Sequence, residues 1–334
     1  MPCAGFPICL CQHLTAEGAG SDLAAACKEE RKAKVIRTEE KRVQVPAFDG
    51  DLAYRLVAEQ VAYGPRVPGT PAHDSTAQWI SRQMRQRGLS VHVQHFRATR
   101  HDGVPLKGQN IIAQYAPERS NRLLLMAHWD TRYMSDMEED EARRVLPVLG
   151  ADDGASGVAV LIAIADALVR DSVAAGVDFV FFDLEDQGAP NGDPNSWCLG
   201  AQYWSRNRIP SGYRATAGIL LDMVGSEMAV FRRERYSEQF APHINDKVWH
   251  MAGVAGYRQY FPDEIGQPIL DDHVFVNQLA RIPSINIIYT SPQTPKGFGA
   301  HWHTQKDNMD IISKEKLRAV GSTVLHYIMH YHAK

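Results

Sequence analysis

Apolar and polar positions fall into clear periods from Phe48 onward. Over residues 51–63, Leu52, Leu56, Val57 and Val61 stand at helical spacing, which predicts an amphipathic helix. A turn-rich loop follows, Gly64-Pro65-Arg66-Val67-Pro68-Gly69-Thr70. A second helix is expected over residues 71–87, where Gly88 stops it. Residues 90–96 alternate like a half-buried strand, and residues 110–115 are also strand-like. Four short stretches are apolar almost throughout: 122–128 (RLLLMAH), 177–182 (VDFVFF), 218–222 (GILLD) and 284–289 (SINIIY). Such runs suit strands covered on both faces. An apolar helix over 158–169, opened by Gly-Ala-Ser-Gly, and a closing helix over 314–332 complete the alternation. The expected fold is α/β: a three-layer sandwich with a mixed, mostly parallel central sheet and helices on both faces.

Composition narrows the class. The 334 residues are 44% apolar, 22% charged and 9% aromatic, which excludes collagen-like, low-complexity and wholly disordered chains. A net charge of −3 offers no basic excess for nucleic acid or an anionic membrane. No uninterrupted apolar run reaches the ~18–20 residues of a membrane span. Cys3, Cys9, Cys11 and Cys27 crowd the start, and only Cys198 lies beyond, so the body has no disulfide framework. Residues 1–45 read as a leader or tail and 46–334 as one catalytic domain. Leu23-Ala24-Ala25-Ala26-Cys27 resembles the small-residue box before the lipid-bearing cysteine of bacterial lipoproteins, although the apolar stretch ends at Leu10 and no Lys or Arg precedes it. The expectation is export to the periplasm with a candidate lipid anchor at Cys27.

Ligands of open α/β sheets bind beyond the carboxyl ends of the strands. Acids and histidines gather at four such ends: His128-Trp129-Asp130, Asp183-Leu184-Glu185-Asp186, Asp222, and the stretch leading to His301-Trp302-His303. Between the first two, Gly150-Ala151-Asp152-Asp153-Gly154 opens a helix. Gathering several anions is costly unless a cation offsets them, and mixed His and carboxylate donors suit zinc. Each residue has a plainer use: Asp153 as a helix cap, Asp222 as a strand-end cap, His303 as a satisfied loop histidine. His128 fits packing as well as ligation. Glu185 and Asp186 are neighbours, so both face one pocket only if a turn intervenes. Cys198 alone cannot build a structural metal site.

HWDTR (128–132), GADDGASG (150–157), FFDLED (181–186), LLDMVG (220–225), DDH (271–273) and WHTQKDN (302–308) together resemble the zinc-dependent aminopeptidase superfamily, with its phosphorylase/hydrolase-like fold. Within it the chain resembles the glutaminyl cyclases (glutaminyl-peptide cyclotransferases), in the bacterial group similar to the animal enzymes. GPRVPGT (64–70) and NSWCLGAQYWS (195–205) match as well. The resemblance implies one zinc ion on Asp153, Asp186 and His303, with Glu185 as acid/base and Asp222 and Asp272 as further active-site aspartates. It implies Trp302 beside the substrate side chain, and Trp197 is the nearest match for a further aromatic; His128 is our own further candidate for the substrate side. The substrates would be peptides and proteins with N-terminal glutamine. The animal enzymes have Glu where this chain has Asp186.

The main competitor is a dizinc aminopeptidase, in which His128 and Asp222 hold a second ion, Asp153 bridges and Glu185 activates water. Trp302 before the ligand histidine, Asp271 before Asp272, and Asp307-Asn308 favour the cyclase. A binding module without turnover is disfavoured by the complete ligand set. The acid run at 136–141, five acids in six residues, reads as a solvated face, with attraction of peptide N-termini as its functional alternative. Trp129, Trp204 and Trp249 read as packing residues.

Overall fold

The computed structural model describes residues 43–294 and 296–331. Cys27, with all of the leader reading up to residue 42, lies outside the described residues.

Local chemistry sets the helix boundaries. Helix α1 (Gly50–Val61) starts where Asp49 accepts a hydrogen bond from the Leu52 amide at 2.8 Å. Helix α2 (Pro71–Gln86) combines a Thr70 cap with proline in its first turn. Strands β1 (Ser90–Thr99) and β2 (Pro105–Tyr115) form an antiparallel hairpin, longer than the apolar pattern suggests. Its outer half is held by a small cluster of Phe96, Leu106 and Leu184. Strand β3 (Arg122–His128), helix α3 (Ala155–Arg170), strand β4 (Gly176–Phe182), helix α4 (Leu199–Arg206) and strand β5 (Ala217–Asp222) follow. Helices α5 (Arg235–Phe240), α6 (Pro242–Val254) and α7 (Asp272–Phe275) precede strand β6 (Ser284–Ile288), and α8 (Lys314–His330) closes the body behind a Ser313 cap.

The six strands run in the order β1-β2-β4-β3-β5-β6. β4, β3, β5 and β6 are mutually parallel, and β1 and β2 add an antiparallel edge. Alternation divides each continuous apolar run between two cores. Leu123, Leu125 and Ala127 face the larger core, with α1, α2, α3, α6 and α8. Leu124 and Met126 face a smaller one with Trp204 of α4 and Phe275 of α7. Helices therefore cover both faces of a mixed sheet.

Helix α3 is apolar all round because it is enclosed all round: every residue but Asp166, Val169 and Arg170 is buried. The apolar pattern left α4 and α6 unassigned. In α6, Ile244, Val248, Trp249 and Ala252 do carry a helical stripe. Trp129, Trp204 and Trp249 all pack inside.

Candidate active site

The parallel strands end on one rim, and three of them break there into turns that carry acids or histidine. Leu184, just after β4, has φ of +58°. This left-handed residue ends the strand and turns the chain, so that Glu185 and Asp186 both reach one cavity. The turn is pinned by Asp130, whose carboxylate accepts from the Glu185 and Asp186 amides at 3.0 and 3.2 Å and from the Gln187 side chain at 3.0 Å. Met223 (φ +46°) follows Asp222, and His303 is itself left-handed (φ +55°).

Asp153 is set by a second carboxylate. Asp307 accepts from the Asp152 and Asp153 amides at 2.7 and 3.1 Å. Gly154 comes next with φ of +97°, and a Cβ there would stand 2.8 Å from the Asp130 carbonyl oxygen, so glycine is required. Asp152 points away from the cavity. It accepts from the Gly225 and Ser226 amides and from His301 Nε2, joining three loops.

These turns enclose a cavity of about 290 Å³. Asp153, Glu185, Asp186, Asp222, Asp271, Lys296 and His303 supply its polar lining, and Trp197, Ile269, Phe298 and Trp302 contribute to its apolar wall. Trp302 stacks on His303 with ring centroids 3.7 Å apart and meets Phe298 at 4.4 Å. Trp197 stacks on His303 at 6.2 Å. Of the residues expected from the sequence, His128 and Asp272 do not line the cavity. His128, 1% exposed, sits against Asp153 and Asp222, with Nε2 at 3.0 and 3.2 Å from their Oδ1 atoms. Asp272 is enclosed, and its neighbour Asp271 takes the cavity face.

The ligand atoms of Asp153, Asp186 and His303 lie within 4.8 Å of one another, as do those of His128, Asp153 and Asp222. In the first trio both Asp186 oxygens are buried without a well-formed hydrogen bond among the described residues, Oδ1 standing 3.1 Å from His303 Nε2. Buried, poorly satisfied carboxylate oxygens beside an imidazole are what a divalent cation would satisfy, so the donor set fits a metal. Burial would lower the His303 imidazole, but Asp186 and then Asp136 outweigh it and lift it to about 9.

Burial also dominates the acids. It pushes Glu185 well above the ordinary glutamate range, with Asp186, Asp271 and Asp272 adding to the effect and His128 opposing. Asp222 is raised to about 8, chiefly by burial and with Asp271 contributing, against a hydrogen bond from His128. Cys198 Sγ lies 3.3 Å from Glu185 Oε1.

The acid run at 136–141 is divided rather than uniformly solvated. Asp136 turns in, accepting from His303 Nδ1 at 2.9 Å and from Arg132 at 3.0 Å. Glu138 is buried and accepts from the Gln305 amide. Glu139, Asp140 and Glu141 are exposed. Among the described residues, no helix is long and apolar enough to cross a membrane.

The family model described as Peptidase family M28 matches residues 110–328. A glutaminyl cyclase of Bacteroides thetaiotaomicron, solved with N-acetylhistamine, superposes with a TM-score of 0.84 at 48% identity, over 86% of this chain and 99% of that one. A Zn-dependent exopeptidase of Parabacteroides distasonis superposes with a TM-score of 0.84 at 44% identity, over 85% and 99%. The glutaminyl-peptide cyclotransferase of Drosophila melanogaster is 26% identical over 276 residues, 74% of this chain and 72% of that protein.

Proposed function

The chain belongs to peptidase family M28, and from that premise we propose that it acts as a glutaminyl-peptide cyclotransferase. It closes the N-terminal glutamine of peptides and proteins to pyroglutamate and releases ammonia. The observation that carries this choice over an aminopeptidase is likeness to glutaminyl cyclases of both a bacterium and an animal, 48% and 26% identical.

The metal that suits Asp153, Asp186 and His303 is a single zinc ion, which when bound supplies a Lewis acid for the glutamine side-chain carbonyl. The remaining chemistry belongs to the chain. The α-amine nitrogen forms a bond to the side-chain carbonyl carbon, and the bond from that carbon to the amide nitrogen breaks. Glu185 accepts a proton from the attacking amine and delivers it to the departing nitrogen, which leaves as ammonia. Its raised proton affinity suits a group that must both take and give a proton near neutral pH. Asp222, at the cavity wall, holds the amine, and His128 holds Asp222. In this reading Asp272 acts on the rearranging amide together with Asp271, the one of the pair that meets the cavity. Trp302, Trp197 and Phe298 fold the side chain toward its own amine and exclude water, which would otherwise hydrolyse the amide.

Residues 46–334 form the catalytic domain in this reading. Residues 1–45 serve export to the periplasm, with Cys27 as lipid attachment point; incorporation of a labelled fatty acid that is lost in Cys27→Ala tests this part separately.

Purified protein should be incubated with a Gln-led and a Leu-led peptide. Ammonia release from the first, with no residue lost, is the expected result. Free leucine from the second would establish the aminopeptidase instead.

A further inference from the structure

Arg132 is fully buried and touches both sides of the metal-capable trio without belonging to it. Its Nη1 donates to the carbonyl oxygens of Asp186 and Gly188 at 3.1 and 2.8 Å. Its Nη2 donates to Asp136 at 3.0 Å, and the other Asp136 oxygen accepts from His303 Nδ1 at 2.9 Å. The guanidinium lies 4.7 Å from the Trp197 ring centre. Trp197 in turn packs so tightly on Gly188 that a Cβ there would come within 2.1 Å of the indole. The Met137 amide donates to the His303 carbonyl oxygen at 3.2 Å. Two ligands from loops far apart in sequence are thus tied to one buried cation.

We infer that Arg132 and Asp136 form a positioning clamp that sets the metal affinity of the site. Arg132 fixes the backbone of the Asp186 turn, and Asp136 fixes the tautomer and tilt of His303, leaving Nε2 to face Asp186 and Asp153. His303 sits in a left-handed backbone conformation, which persists only where surrounding contacts hold it, and its Nδ1–Asp136 and carbonyl–Met137 bonds are two such contacts. Lysine cannot replace Arg132, because a single ammonium cannot span two carbonyls and a carboxylate in one plane. Asparagine at 136 would still accept from His303, but it would turn an NH₂ group toward the guanidinium.

The inference rests on the metal reading above, and the experiment separates the two. Zinc affinity of the full chain is measured by chelator competition for the parent, Asp136→Asn, Arg132→Lys and the double variant, together with the visible spectrum of the cobalt-substituted forms. Each single variant is expected to lose roughly ten- to hundredfold in zinc affinity. The double variant should lose less than the product of the two, because the groups act as a unit. The cobalt bands should shift in Asp136→Asn. Zinc affinity within twofold of the parent in both single variants would overturn the clamp while leaving the metal site standing. A parent that binds no zinc would overturn the metal reading itself. A fall in the melting temperature of zinc-free protein with unchanged zinc affinity would also overturn the clamp, since it marks a merely structural role.

Discussion

His303 and His128 both approach Asp153, and the difference between their surroundings separates two otherwise similar clusters. His303 Nε2 faces Asp186 at 3.1 Å and Asp153 at 3.9 Å, while its Nδ1 is hydrogen-bonded to Asp136. His128 Nε2 lies within hydrogen-bonding range of Asp153 and Asp222, but its Nδ1 has no hydrogen-bond partner. The acid nearest that nitrogen, Asp130 at 3.7 Å, is committed to the amides of the Glu185 turn. A metal-binding histidine is normally oriented by a group on its far nitrogen. His303 has such a group at 2.9 Å, whereas the carboxylate that faces His128 Nδ1, that of Asp130, stands back at 3.7 Å. The contrast supports one ion on Asp153, Asp186 and His303, with His128 acting as a hydrogen-bond donor to the acids around it.

The strongest way to break this contrast is to delete one imidazole at a time. In His303→Ala, zinc content should fall to near zero and ammonia release by about a thousandfold, on the order of 4 kcal/mol. Metal analysis and a coupled ammonia assay check both. His128→Gln should keep one zinc per chain and lose only about ten- to hundredfold in kcat/KM, the scale of one charge-assisted hydrogen bond. Loss of zinc from His128→Gln would erase the distinction between the two clusters.

The smallest effect sharpens the contrast from outside. His73 on α2 is a histidine that has an acid partner but no place in either cluster. Its Nε2 meets both Asp183 oxygens, at 2.9 and 3.1 Å. Burial works against its charged form, but Asp183 outweighs that and raises its proton affinity. A raised folded value means the stabilisation is complete below the unfolded value near 6.5 and is lost as pH rises through the folded value. The stability difference between parent and His73→Gln should therefore be largest, about 1–2 kcal/mol, below pH ~6.5 and shrink above it. Zinc content should stay the same throughout. Urea unfolding at a series of pH values provides the measurement.

The parallel strands were legible in the sequence because both their faces are covered, which leaves uninterrupted apolar runs such as those of β3 and β4. The outer half of the β1–β2 hairpin was not, because it is half exposed and its few apolar contacts, Phe96 and Leu106 on Leu184, are too sparse to leave a continuous run. At the site, the chemistry-bearing residues stood out as motifs, and Asp153, Glu185, Asp186, Asp222, Trp302 and His303 do converge. Asp130, Asp152 and Asp307 stood in the same motifs, but their role in positioning the others did not show there. Asp130, Asp152 and Asp307 act by accepting from backbone amides, and any residue type supplies an amide. Asp136 was hidden for another reason. A run of acids looks solvated until the chain folds one of them against a buried arginine and a histidine.

The enclosure of α3 has a consequence on a different axis, that of time. Its amides can exchange with deuterium only when the layers around it part, so they should report global opening, whereas the exposed edge strand β1 exchanges by local fraying. Asp153 stands one residue before the glycine that starts this helix. In the proposed site Asp153 is thus fastened to the segment expected to open last, while His303 and Asp186 hang from loops. Slow metal escape would then be governed by the loops, with the helix end as the point to which the ion returns.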